Sequence, residues 1–138
     1  MLAAKLAELA LRTARARSHC PATAEALAAD LDTLDIVSFN LMLAVQVCLD
    51  VASHLIADQR WRPAGTLAGA FERLREHGVI GAATATSLGR AAGLRNVVAH
   101  GYGGIDVRIV HAAATAGATD LEAFAREVAA WLSSATPT

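Results

Sequence analysis

The chain has 138 residues, enough for one domain with a sizeable core, and its formal net charge of −1 excludes a global positive field for indiscriminate nucleic-acid binding. Hydrophobic residues make up 54% but aromatics only 4%, so the core must be aliphatic and alanine-rich, a composition that favours helices throughout. Cys20 and Cys48 have no metal-type spacing and no His–carboxylate neighbours in sequence, which excludes a catalytic cysteine and leaves reduced, buried thiols.

Leu2, Leu6, Leu9 and Thr13 fall on one face of a first amphipathic helix, with Lys5, Glu8, Arg12 and Arg15 mostly elsewhere. Its charges interrupt any signal-peptide core. Pro21 ends it, and Cys20–Thr23 is a short connection or the start of the next turn. The longest and most apolar helix runs from about Asp30 to Ala57. Asp35, Gln46, Asp50, Ser53 and His54 cluster on one strip of it at the helical step of about 100° per residue. Such a helix should be the centre of a bundle, packed on several sides and showing one polar seam. Its most apolar run, Ile36 to Leu49, is broken by Ser38, Asn40 and Gln46 and falls short of the roughly 20 residues that span a bilayer. A soluble, cytoplasmic protein is expected.

Asp58–Pro63 reads as a loop in which Trp61 is an anchor and not a base-stacking platform, although its place between Arg60 and Arg62 calls for one RNA-binding test. Thr66–His77 is a short helix with Leu67, Ala70, Phe71 and Leu74 inward and Gly78 placed as a left-handed cap. A further helix spans Ala82 to His100 and is ended by Gly101, Gly103 and Gly104. Ile105–Ala114 is a short helix, and Thr119–Leu132 a last one, capped by Thr119 or Asp120. With no repeat and no second domain, the expected architecture is a single all-α domain, an up-and-down helical bundle with a long central helix.

The stretch that carries chemistry is Leu94-Arg95-Asn96-Val97-Val98-Ala99-His100-Gly101-Tyr102. On a helix with Arg95 at zero, Tyr102 lies about 20° to one side and Ala99 about 40° to the other, with Asn96 and His100 at about 100° and 140°. Four hydrogen-bonding side chains thus share one face. RNA cleavage needs a proton removed from a 2′-hydroxyl, a proton given to the 5′-oxygen, and charge stabilised on phosphorus. Histidine suits the proton transfers and arginine the phosphate. Asn96 can orient the imidazole or a phosphate oxygen, and Tyr102 can donate a hydrogen bond or stack on a base. No metal or other cofactor is required. Since one copy offers a single motif histidine, a two-fold dimer that joins two motifs across a cleft would supply both acid and base. The plainer reading is a capped, solvated helix end.

Arg, four residues, His, one residue, Tyr, with Asn directly after the Arg, resembles the R-x4-H-x-Y motif of the HEPN superfamily, and within it the HepT-like toxins. The resemblance extends over the chain: Asn40–Ala57, with Gln46, Asp50 and His54, resembles that family's long central helix, and Leu88–Gly104 its motif helix. It implies an all-helical homodimer whose motifs face an interfacial cleft, acting as a metal-independent ribonuclease toxin on tRNA or mRNA. It also implies neutralisation by an MntA-like nucleotidyltransferase that transfers AMP to the motif tyrosine. Arg95 and His100 would then be catalytic, Asn96 supporting and Tyr102 the AMP acceptor, where added nucleotides would block the cleft with charge and bulk.

Two alternatives share this fold. One is a non-catalytic helical subunit that partners a nucleotidyltransferase, and the other a dimeric scaffold whose polar seam fixes helix register. Gln46, Asp50 and His54 are either a satisfied seam between helices or a second wall of the cleft, with Asp50 and His54 spaced to hydrogen-bond each other. No paired ligand spacing supports a zinc site among His54, His77, His100 and His111. His19, His77 and His111 read as surface or helix-end residues, and Trp131 as core.

Overall fold

The central helix is set by its caps. In the computed structural model, which describes residues 2–100 and 106–135 (with 95–100 and 135 as backbone only), Asp30 accepts a hydrogen bond from Thr33 N at 3.2 Å and opens a helix over Leu31–Asp58. The order is α1 Leu2–His19, α2 Ala24–Ala28, α3 Leu31–Asp58, α4 Leu67–Glu76, α5 Ala82–His100, α6 Val107–Ala114 and α7 Ala116–Ala135. No strand occurs among the described residues.

α3 runs on past Leu49 to Asp58, so it is long and apolar enough to cross a membrane, contrary to the count made on its interrupted central run. In the fold it is a core helix: 61% of its most apolar stretch is buried, against α1, α4 and α5 above all. α1 lies antiparallel to it, tied by Lys5 to Asp50 at one end and by Arg12 Nη1 donating to Asn40 Oδ1 (3.2 Å) nearer the other. Leu9, Thr13 and Ala16 form the buried face of α1, as the apolar spacing predicts for its first two.

α4 and α5 are antiparallel, close enough that a Cβ on Gly89 would meet Ala68 Cβ at 3.5 Å. α7 closes the bundle. Phe124 meets Phe71 of α4 edge to face at 5.8 Å, and Glu127 accepts from Gly81 N and Thr84 Oγ1, both at 2.6 Å, capping the start of α5.

Two helix ends share one cap. After α4, Gly78 turns left-handed (φ 75°), its N–H donates to Arg75 O (3.0 Å), and Val79 N–H reaches Leu74 O (2.9 Å). After α3, Arg60 takes the same turn (φ 57°), donating to Ala57 O (3.2 Å), while Trp61 N–H reaches Ile56 O (3.0 Å).

Three expectations need correction. The Cys20–Thr23 connection leads into a separate five-residue helix, α2, capped by Thr23 and too short to show a period. α6 begins at Val107 behind an Asp106 cap; Ile105 lies outside the described residues. α7 begins at Ala116 rather than at a Thr119 or Asp120 cap, because the break between α6 and α7 falls at Thr115 and Ala118 is buried. Thr119 instead accepts a hydrogen bond from Arg17 (3.2 Å), which also pairs with Glu122.

Candidate active site

The helix that carries the motif keeps its backbone helical through His100, so Arg95, Asn96 and His100 stand on one continuous element. Their side chains, and Tyr102 altogether, lie outside the described residues. Leu94, the last described side chain of α5, lines a cavity of about 310 Å³ with Leu41, Val45 and Leu88. α5 therefore meets α3 just ahead of Gln46 in the chain.

From Gln46 onward α3 presents its polar seam. Gln46 Nε2 donates to Asp50 Oδ1 at 2.9 Å, and Lys5 Nζ of α1 lies 3.3 Å from Asp50 Oδ2. Asp50 thus pairs with Gln46 and Lys5; no bond to His54 occurs among the described residues, so the spacing-based Asp50–His54 pair is not formed. His54 is half-buried, further round the helix. The seam's expected extension into Asp35 is also altered: the uncovered face of α3 carries Ile36 and Phe39 in its first half, with Phe39 51% exposed. The first half of α3, expected to be packed on several sides and open only at a polar seam, thus carries an open apolar surface as well.

Gln46, Asp50 and Ser53 form one wall of a cleft of about 670 Å³, and Trp61 and Thr66 of the α3–α4 connection with Leu67 of α4 form another. Arg60 lines it from the cap of α3, whereas His54 does not. Trp61 is an anchor, as its position suggests: its ring stacks on His77 (4.0 Å, 5°) and meets Trp131 at 5.9 Å. Sequence reasoning missed Lys5, Arg60 and Thr66 as neighbours of the seam. The one available signal was that Lys5 is the only lysine of the chain.

Burial pushes the thiol of Cys48 far up and that of the half-buried Cys20 up, away from the thiolate form that a nucleophile needs. His111 is not a free surface group; its Nε2 lies 2.9 Å from Pro21 O, joining α6 to the α1–α2 connection. No group of three or more His, Cys, Asp or Glu among the described residues could hold a metal ion.

Residues 9–128 match the family described as Ribonuclease HepT-like. The chain belongs to this HepT-like family. Its fold is that of several solved structures. A chain of a toxin–antitoxin crystal structure with AMP-PNP superposes with a TM-score of 0.86 at 22% identity, covering 94% of this chain and 97% of that one. The tri-AMPylated HEPN toxin of Shewanella oneidensis in complex with its MNT antitoxin gives 0.85 at 22% identity, covering 94% and 96%. YutE of Bacillus subtilis, a cytosolic protein of unknown function, gives 0.84 at 15% identity, covering 99% and 92%. No curated protein matches the chain. At these identities the structures establish the fold alone, and the family match establishes the family.

Proposed function

We propose that this chain is a metal-independent ribonuclease toxin of a toxin–antitoxin pair, acting on RNA through Arg95, Asn96, His100 and Tyr102. The observation that carries the reading is an intact R-x4-H-x-Y motif, on a helix whose backbone is continuous to His100, in a chain of the HepT-like ribonuclease family. His100 of each copy carries one of the two proton transfers, from the 2′-hydroxyl or to the 5′-oxygen, because an imidazole titrates near neutrality. Arg95 neutralises the phosphorane by paired charged hydrogen bonds, and Asn96 holds the imidazole or a phosphate oxygen. Gln46 and Asp50 belong to the facing wall, which His54 does not line.

A homodimer completes the site, since acid and base are both needed and each copy supplies one motif histidine. The open apolar residues Ile36 and Phe39, on the same face of α3 as the polar seam, support a second copy docking there. A nucleotidyltransferase antitoxin neutralises the enzyme by transferring AMP to the Tyr102 hydroxyl. In this transfer the O–P bond to adenylate forms, the bond to pyrophosphate breaks, and the phenol proton leaves to solvent. An AMPylated toxin–antitoxin complex among the structural relatives supports this part.

Overexpression of the chain without its genomic neighbour should arrest growth, and His100→Ala should abolish that arrest with an unchanged helical circular-dichroism spectrum. A His100→Ala chain as toxic as the parent defeats the reading. Intact mass after co-expression with the neighbour should show AMP increments that Tyr102→Phe removes. Protection that persists in Tyr102→Phe means neutralisation by binding alone.

A further inference from the structure

Resting on the ribonuclease reading, we propose that the cleft between α3 and the start of α4 holds one unpaired base of the RNA substrate, one carrying an amino group, with Arg60 on the adjoining phosphate. The volume, about 670 Å³, is in the range of small-ligand sites, which run from about 300 to 1,000 Å³. Apolar Leu49, Ile56 and Leu67 line it together with the polar row Gln46, Asp50 and Ser53, the mixture a heteroaromatic ring with a hydrogen-bonding edge requires.

The polar row is rich in acceptors. Each Asp50 oxygen takes one hydrogen, from Gln46 or from Lys5, and a carboxylate oxygen accepts two. Gln46 commits one of its two amide hydrogens to Asp50, and its carbonyl oxygen is open to a ligand. Acceptors so placed select bases that present donors. Adenine and cytosine present an exocyclic amine and guanine an amine and an imino N–H, whereas uracil presents a single imino N–H between two acceptors.

Arg60 adds the second line of support. It occupies a left-handed position (φ 57°) where glycine is unstrained and an L side chain is not. The same position after α4 is filled by Gly78. Arg60 lines the cleft, and neither it nor Arg62 has an ion-pair partner among the described residues. In a chain of net charge −1, an uncommitted guanidinium lining a cleft with room for a base and its sugar, and a second one two residues on, mark a phosphate path. Trp61, between them, is fixed by its stack on His77 and serves as a rigid wall.

The test uses the full-length His100→Ala chain, so that bound RNA is not cut, and dye-labelled pentamers of adenosine, cytidine and uridine read by fluorescence anisotropy. Adenosine and cytidine pentamers should bind roughly fivefold to tenfold tighter than uridine, within the net span of one ordinary hydrogen bond. Asp50→Asn should shrink that preference. Arg60→Gly should weaken all three alike and lower the salt slope by about one ion, with a thermal midpoint equal to or above that of the parent. Equal affinity for the three pentamers, or binding indifferent to Arg60→Gly at a retained midpoint, overturns the proposal. So does an Arg60→Gly effect confined to dimer mass or to neutralisation by the nucleotidyltransferase, which would give the cleft to a protein partner. Failure of the parent to cleave long RNA counts against the ribonuclease reading. Cleavage by the parent with indifferent pentamer binding counts against the base site alone.

Discussion

The ends of α3 and α4 are two copies of one cap that differ in the residue bearing the left-handed turn. After α4 it is Gly78, with no Cβ to clash, and Val79 tucks back over Leu74. After α3 it is Arg60, with Trp61 over Ile56. Geometry alone asks for glycine at both. Where the sequence departs from it, a cationic side chain lines the cleft beside Asp50. The lesson is that a broken local rule next to a polar cleft points to function, whereas an obeyed one marks the scaffold.

The comparison breaks most visibly at the scaffold cap. Leu74 is fully buried at the foot of the Gly78 turn, so Leu74→Ala should cost about 2–5 kcal/mol in denaturant melts. A loss under about 1 kcal/mol would mean that the Leu74 side chain is not packed in the core. Gly78→Ala puts a Cβ at φ 75° and should lower stability by roughly 1 kcal/mol. Arg60→Gly should do the reverse: relief of about 1–2 kcal/mol of backbone strain, offset by about 0.4–1 kcal/mol from the freer unfolded chain, leaves stability equal or slightly raised. A clear destabilisation would show that Arg60 is held there for packing.

The opposite end of α3 supplies the smallest effect. Hydrogen bonds from Thr33 hold the Asp30 carboxyl below the usual carboxylate range. A depressed pKa in the folded state means that the stabilisation is present above the unfolded value and is lost as pH falls through the folded one. Acid titration of stability should therefore retain a small decrease below about pH 4 that Asp30→Asn removes. An identical acid profile in the variant would detach the cap from that decrease.

Much of the fold could be read from the chain because its signals are local. Gly78 announced the cap of α4, and Asp30 and Thr66 marked where α3 and α4 begin. The spacing of Ala70, Phe71 and Leu74 announced the buried face of α4, whereas Leu67, expected inward with them, is exposed at the helix start. α2 was beyond reach because five residues hold less than two helical turns. The start of α7 was missed because Thr119, a good cap by chemistry, is taken by Arg17 of a helix about a hundred positions away. The site was half legible. The seam Gln46–Asp50 and the Trp61 anchor followed from spacing, but Lys5 and Arg60 reach it through tertiary folding, which no periodicity carries. The Asp50–His54 pair failed for the same reason: i and i+4 spacing offers a partner, and packing against α1 and the Gln46 amide supplied better ones.

Cleavage of cellular RNA by the purified chain in EDTA tests the central claim most directly, with Arg95→Ala and His100→Ala run beside it. Discrete fragments from the parent, and none above background from either variant, are the expected result. Undiminished fragments from both variants, or an intact substrate with the parent, would contradict the account.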